Sequence, residues 1–172
     1  MTDTSIIFVP IGKVDGELLS WISTMGPEVF HMEGTVAKMI ETPNAMFNKK
    51  RGQFHGDDLI DLLRTVGFQE QKVLGIIDRD CYAKDLNFIF GEAIPGGKYA
   101  IVALPRLKES FYGRAENEEL FRQRVLKEVV HELGHTFGLL HCKDPSCVMH
   151  FSSTLADTDR KGTDFCKKCA LR

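Results

Sequence analysis

Residues 131–141 read His131-Glu132-Leu133-Gly134-His135-Thr136-Phe137-Gly138-Leu139-Leu140-His141. Residues four apart lie one above the other on a helical face, so His131 and His135 can offer their rings to one metal ion. Gly138 can adopt positive φ and end the helix in a sharp turn. The chain then doubles back, and His141 can reach the same ion from another side. Three neutral imidazoles on Zn²⁺ leave the fourth tetrahedral position for water, the arrangement of a catalytic site. Glu132, beside the first histidine, can face that water as general base. At this chain's own content of His, Glu and Gly, the whole pattern H-E-x-x-H-x-x-G-x-x-H would arise by chance in roughly 4 of 100,000 such chains. The isolated His31, His55 and His150 are read as ordinary histidines.

Upstream, Asn117 is placed to cap a long helix, with Glu118 and Glu119 in its first turn where the dipole favours acids. Phe121, Val125, Val129 and Leu133 recur every four residues and give its buried stripe, which runs to about Thr136 or Phe137. Residues 5–9, 73–78, 86–93 and 99–104 are short apolar runs of strand type, and 29–36 is a weaker one. Asp15 starts a helix through Ile22 that should end at Gly26-Pro27, residues 56–66 form a second helix stopped by Gly67, and 42–54 reads as an irregular connection. Residues 94–98, Ile94-Pro95-Gly96-Gly97-Lys98, read as a hairpin turn. They are no phosphate loop: the glycine spacing is wrong, Tyr99 stands where Ser or Thr is needed, and a strand follows. Strands separated by helices and then a hairpin predict an α/β (α+β) chain with a mixed, mostly parallel twisted sheet and one antiparallel edge strand.

Downstream, Cys142, Cys147, Cys166 and Cys169 are arranged as C-x4-C and, 18 residues later, C-x2-C. Four thiolates in two short pairs are the ligand set of a closed, structural Zn²⁺ site. Disulfides and an iron–sulfur centre are the competing readings. A metal there would clamp both sides of the turn after His141, where residues 142–172 offer few apolar side chains of their own. Cys81 stands alone and reads as a small buried apolar residue.

The histidine pattern, followed by Cys147-Val148-Met149, resembles the metzincin signature. With Cys142 directly after the third histidine and Cys166-x-x-Cys169 beyond, residues 127–169 resemble the archaemetzincin family within that clan. The resemblance implies that His131, His135 and His141 are zinc ligands and Glu132 the general base. It also implies an active-site helix carrying H-E-x-x-H and a small zinc-stapled C-terminal segment. There Met149 would lie on a Met-turn beneath the histidine rings. Some metzincins carry a tyrosine two residues after that methionine as an extra ligand; Phe151 cannot serve so.

The 172 residues, 43 % hydrophobic and 27 % charged, suit one globular domain spanning 1–172, with sheet and helices in 1–138 and the Met-turn and cysteine segment in 139–172. A formal charge of -2 argues against nucleic-acid binding, and the lack of a long apolar run argues against a membrane span. Met1 to Ser5 carry no basic leader, so a cytoplasmic protein is expected. The function expected is hydrolysis of peptide bonds by a zinc-dependent peptidase holding two zinc ions, one catalytic and one structural. Its peptide or protein substrate would pair with the strand at 86–93. The alternative is a weak or inactive zinc- or peptide-binding module.

Overall fold

A computed structural model describes residues 5–171. The expectation about a basic leader rests on residues of which Met1 to Thr4 lie outside this range. In chain order the elements are β1 (Ser5–Ile11), α1 (Gly16–Glu28), β2 (Glu33–Val36), β3 (Phe47–Asn48), β4 (Gln53–His55), α2 (Gly56–Val66), β5 (Lys72–Ile77), β6 (Cys81–Tyr82), β7 (Gly91–Ala93), β8 (Tyr99–Ala103), α3 (Glu118–Thr136), α4 (Leu155–Arg160) and α5 (Lys167–Ala170). The main sheet has the order β2-β1-β5-β8-β7 and is parallel except for β7, which runs antiparallel to β8 at one edge. The mixed sheet with a single antiparallel edge strand is therefore as the sequence predicts.

Strand side chains alternate between two faces. Ile6, Phe8, Leu74, Ile76, Ala100 and Val102 join a core with residues of α1 and α3. Ile7, Val9, Ile11, Val73, Ile77 and Ile101 join a second core with Leu59, Ile60 and Leu63 of α2. Both faces are covered, which is why the central strands are apolar throughout rather than alternating. β7, with only one neighbour, forms the wall beside α3.

Four local expectations change. Helix α1 runs through Gly26-Pro27 to Glu28, because a proline in the last turn loses little there while its carbonyl accepts the Phe30 and Met32 amides. His31 then takes φ 54, and only Glu33–Val36 of the expected strand joins the sheet. Within 42–54, β3 and β4 pair antiparallel and β4 pairs with β6, making a small second sheet. In the 86–93 run only Gly91–Ala93 forms a ladder, since Arg51 donates to the carbonyls of Leu86 and Asn87, and Gln53 to that of Asn87.

The C-terminal segment is also better anchored than its sparse apolar content suggests. Helix α3 is buried on two sides: Val125, Val129 and Leu133 face the sheet, while Leu126 and Val130 pack against Leu139, Cys147, Val148, Met149 and Cys169. Charged groups add a second attachment. Arg124 pairs with Asp159 at 2.6 Å and with Glu109 at 2.7 Å. Lys161, fully buried, sits 3.0 Å from Glu128. Among the described residues no helix is long and apolar enough to cross a membrane.

Candidate active site

Asn117 caps the start of α3 by accepting the Leu120 amide, and the other end closes at Gly138, φ 89. The Gly138 amide donates to His135 and the Leu139 amide to Gly134. This reversal brings His141 back toward the helix, and the candidate ligand atoms of His131, His135 and His141 all lie within 4.8 Å of one another. His131 Nδ1 donates to the Val148 carbonyl at 2.8 Å and His135 Nδ1 to the Leu139 carbonyl at 2.7 Å. Those acceptors fix both tautomers, so each Nε2 presents a lone pair. The two Nε2 atoms are 3.1 Å apart. Facing lone pairs at that distance repel unless a cation lies between them, and two ligands on zinc at tetrahedral angles would be about 3.3 Å apart. Burial holds all three histidines below their ordinary pKa, in the neutral form that a metal requires. The trio fits a divalent ion that favours imidazole.

Glu132 is buried on the cleft side of α3, against Gly91 of β7. A Cβ at Gly91 would lie 2.6 Å from Glu132 Cγ and 2.7 Å from its Oε1, so only glycine leaves room for the carboxylate. Burial first, then the neighbouring Glu128 carboxylate, pushes the Glu132 pKa well above the usual range; a bound cation would act against both. Between β7 and α3 lies a cleft of about 740 Å³, floored by the three histidines and Glu132 and lined with Phe88, Phe90, Leu140 and Phe151. The Phe151 ring is 5.0 Å from that of His141. Met149 is fully buried beneath α3, and a Cβ on Gly134 would come 2.5 Å from its sulfur.

The four C-terminal cysteines converge too. Their Sγ atoms lie within 4.8 Å of one another, and Cys142 and Cys166 are 3.8 Å apart. Zinc–thiolate bonds of 2.3 Å at tetrahedral angles give an edge of about 3.8 Å, whereas a disulfide needs about 2.05 Å. All five cysteines are free. The Cys169 amide holds the Cys166 thiol down to about 7, close to the thiolate form, while burial raises Cys147 and Cys169. Four soft donors in this array fit a closed zinc site. The two clusters share backbone: the Cys142 amide donates to Met149 at 2.9 Å, and Val148, which orients His131, follows Cys147 directly. Cys81 is buried apart from them, its thiol pushed up to about 12 by burial and then by Asp80.

Sequence reasoning missed Gly91, the Glu128–Lys161 pair at the cleft wall, and Lys72, which bonds to the end of α3. A strand glycine and two scattered lysines carry no pattern that marks them.

The sequence profile of peptidase family M54 matches residues 29–172. The chain belongs to the archaemetzincins. The archaemetzincin of Methanocaldococcus jannaschii is 42 % identical over 164 residues, covering 95 % of this chain and 89 % of that one. The archaemetzincin of Pyrococcus furiosus is 41 % identical over 172 residues, with the same coverage of 95 % and 89 %. Among solved structures, the Archaeoglobus fulgidus archaemetzincin, determined with malonate bound, superposes with a TM-score of 0.85 at 34 % identity, covering 97 % of this chain and 98 % of that one. A zinc-dependent peptidase from Methanocorpusculum labreanum gives 0.88 at 28 % identity, covering 96 % and 98 %. Archaemetzincins are a zinc metallopeptidase family.

Proposed function

We propose that this archaemetzincin hydrolyses peptide bonds, with His131, His135 and His141 holding a catalytic zinc and Glu132 carrying the proton. The observation that supports this most is the convergence of three histidine donors beside a buried carboxylate at the floor of a cleft. When bound there, zinc would polarise the scissile carbonyl and acidify an attacking water. Glu132 takes the proton from that water and passes it to the leaving amine, a role that suits a carboxylate at the cleft floor beside the three histidines. An extended peptide pairs with the free side of β7, whose antiparallel backbone forms the wall opposite α3. The apolar lining of the cleft takes up its side chains. Met149 supports the histidine floor as the Met-turn residue. Cys142, Cys147, Cys166 and Cys169 hold a second, structural zinc that staples residues 139–172 onto a single metzincin-like domain. The chain works in the cytoplasm, where thiols stay reduced.

The test is Glu132→Ala. Cleavage of a peptide that the wild type cuts should fall by about 10²–10⁴-fold, with zinc content unchanged, because Glu132 gives no bond to the metal. Full turnover by the variant would contradict the general-base role. A wild type that binds zinc and peptides but cuts none would leave a binding module in place of an enzyme.

A further inference from the structure

Lys72 opens β5 and is only 8 % exposed. Its Nζ donates to two main-chain carbonyls, Gly97 and Thr136, each at 2.8 Å, and lies 4.5 Å from the centre of the Phe137 ring. Thr136 is the last residue of α3. A helix leaves its final carbonyls without intrahelical partners. Those of Leu133 and Gly134 are taken by the amides of Phe137 and Leu139. The Thr136 carbonyl receives Lys72, and that of His135 receives, besides the Gly138 amide, the Gly96 amide at 2.8 Å.

The turn at 94–98 therefore has a use that its glycine pattern does not announce. It docks on the end of the helix that carries His131 and His135, and it is continuous with β7, the cleft wall. One turn before the end of α3, Gly91 touches Glu132; at the end itself, Gly96 and Lys72 hold His135 and Thr136. The separation of wall and histidine floor is thus fixed at two points. A cation on these carbonyls also complements the negative end of the helix dipole. Burying an ammonium is costly, and an apolar side chain of similar shape is often as stable in such a place. Stability alone is a weak reason for a lysine here.

We propose that Lys72, with the 94–98 turn, is a clasp that positions His135 and so raises the affinity of the histidine cluster for zinc. Lys72 is a positioning residue: it touches neither metal nor substrate. This rests on the reading that the histidine trio binds zinc, and the experiment separates the two.

Full-length wild type and Lys72→Met are loaded with zinc, and the zinc released to a chromophoric chelator is titrated. The cysteine-bound fraction is followed separately by thiol reactivity. Disturbing a group that orients a metal ligand typically weakens binding by about 10–100-fold. Lys72→Met should show a loss in that range at the histidine site and an unchanged cysteine site. Equal affinity in the two proteins would overturn the clasp. A wild type with no histidine-bound zinc would overturn the underlying reading instead. Should the variant fail to fold, amide exchange in the wild type decides. Zinc loading should slow exchange at Gly96 by about 10-fold or more, because its acceptor lies on a ligand residue; exchange there that ignores zinc would overturn the proposal.

Discussion

The two metal-type clusters share a stretch of 39 residues, from His131 to Cys169, yet they are built in opposite ways. Two of the three histidines stand on a long helix packed on both sides, with their Nδ1 atoms pinned by carbonyls. Their geometry is set by the fold. The cysteines sit on turns and on the four-residue helix α5, with Cys147 and Cys169 packed against Leu126 and Val130 of α3 and no long element of their own. On the proposed reading, one cluster leaves a position open and the other closes a loop. Damage to the first should cost chemistry, and damage to the second should cost stability.

Removing a ligand from the open cluster should break this contrast most sharply. His141 is the most exposed of the trio and comes from beyond the helix, so His141→Ala should lower activity by more than about 100-fold, beyond what lesser outer-shell changes cause. Zinc per chain, measured by atomic absorption, should fall from about two to about one. Loss of zinc from both clusters would mean that they form one cooperative unit.

Cys169→Ser probes the closed cluster. A 1 kcal/mol loss lowers the melting temperature by about 2–4 °C in a chain of this size, and losing the staple should lower it by about 10 °C. Activity should fall less, through looser support of His131 by Val148. Helix α4 should stay docked through Arg124 and Lys161, so amide exchange across 155–160 should remain near wild type. Retention of full thermal stability would remove the structural role of the cysteines.

Acid should act on the open cluster in the zinc-free protein. All three histidines have folded-state pKa values below the ordinary value, His131 well below it. The unfolded chain then binds more protons than the folded one as pH drops below about 6.5. The histidines therefore remove stability from pH 7 to pH 5, while Glu132 and Glu92, raised by burial, add it. In the Glu92→Gln/Glu132→Gln variant the melting temperature should decline over that window, by less than the Cys169→Ser effect. Bound zinc should move that decline to lower pH. A flat profile in the zinc-free double variant would contradict the buried, neutral state of the trio.

The smallest effect is expected at the contact that joins the clusters. Gly134→Ala places a Cβ 2.5 Å from the sulfur of Met149, the far end of a flexible side chain. The cost should be about 1–3 kcal/mol, with a few-fold loss of turnover. No change in either would show that Met149 does not hold the floor of the site in register.

Most of the central sheet was legible in the sequence, because its apolar runs are uninterrupted and its helices are capped by Asp15 and Asn117. The histidine pattern was legible because spacing puts His131 and His135 on one helical face and Gly138 supplies the turn that returns His141. What escaped was set by tertiary contacts. Gly26-Pro27 looks like a helix stop but falls in a last turn, where proline is tolerated. Residues 86–90 have strand composition but give up their carbonyls to Arg51 and Gln53, which are distant in sequence. The anchoring of the C-terminal segment was hidden because much of it is ionic, and pairs such as Glu128 with Lys161 form only once α3 and the segment meet. Lys72 was hidden for the same reason: its partners are main-chain carbonyls, which any sequence supplies.

The central claim, two zinc sites of different character on one chain, is tested most directly by anomalous diffraction at the zinc edge from crystals of the purified protein. Two peaks are predicted, one within bonding distance of His131, His135 and His141 and one amid the sulfurs of Cys142, Cys147, Cys166 and Cys169. A brief soak in chelator should remove the first and leave the second. No peak at the histidines after zinc loading, or equal loss of both, would contradict the account.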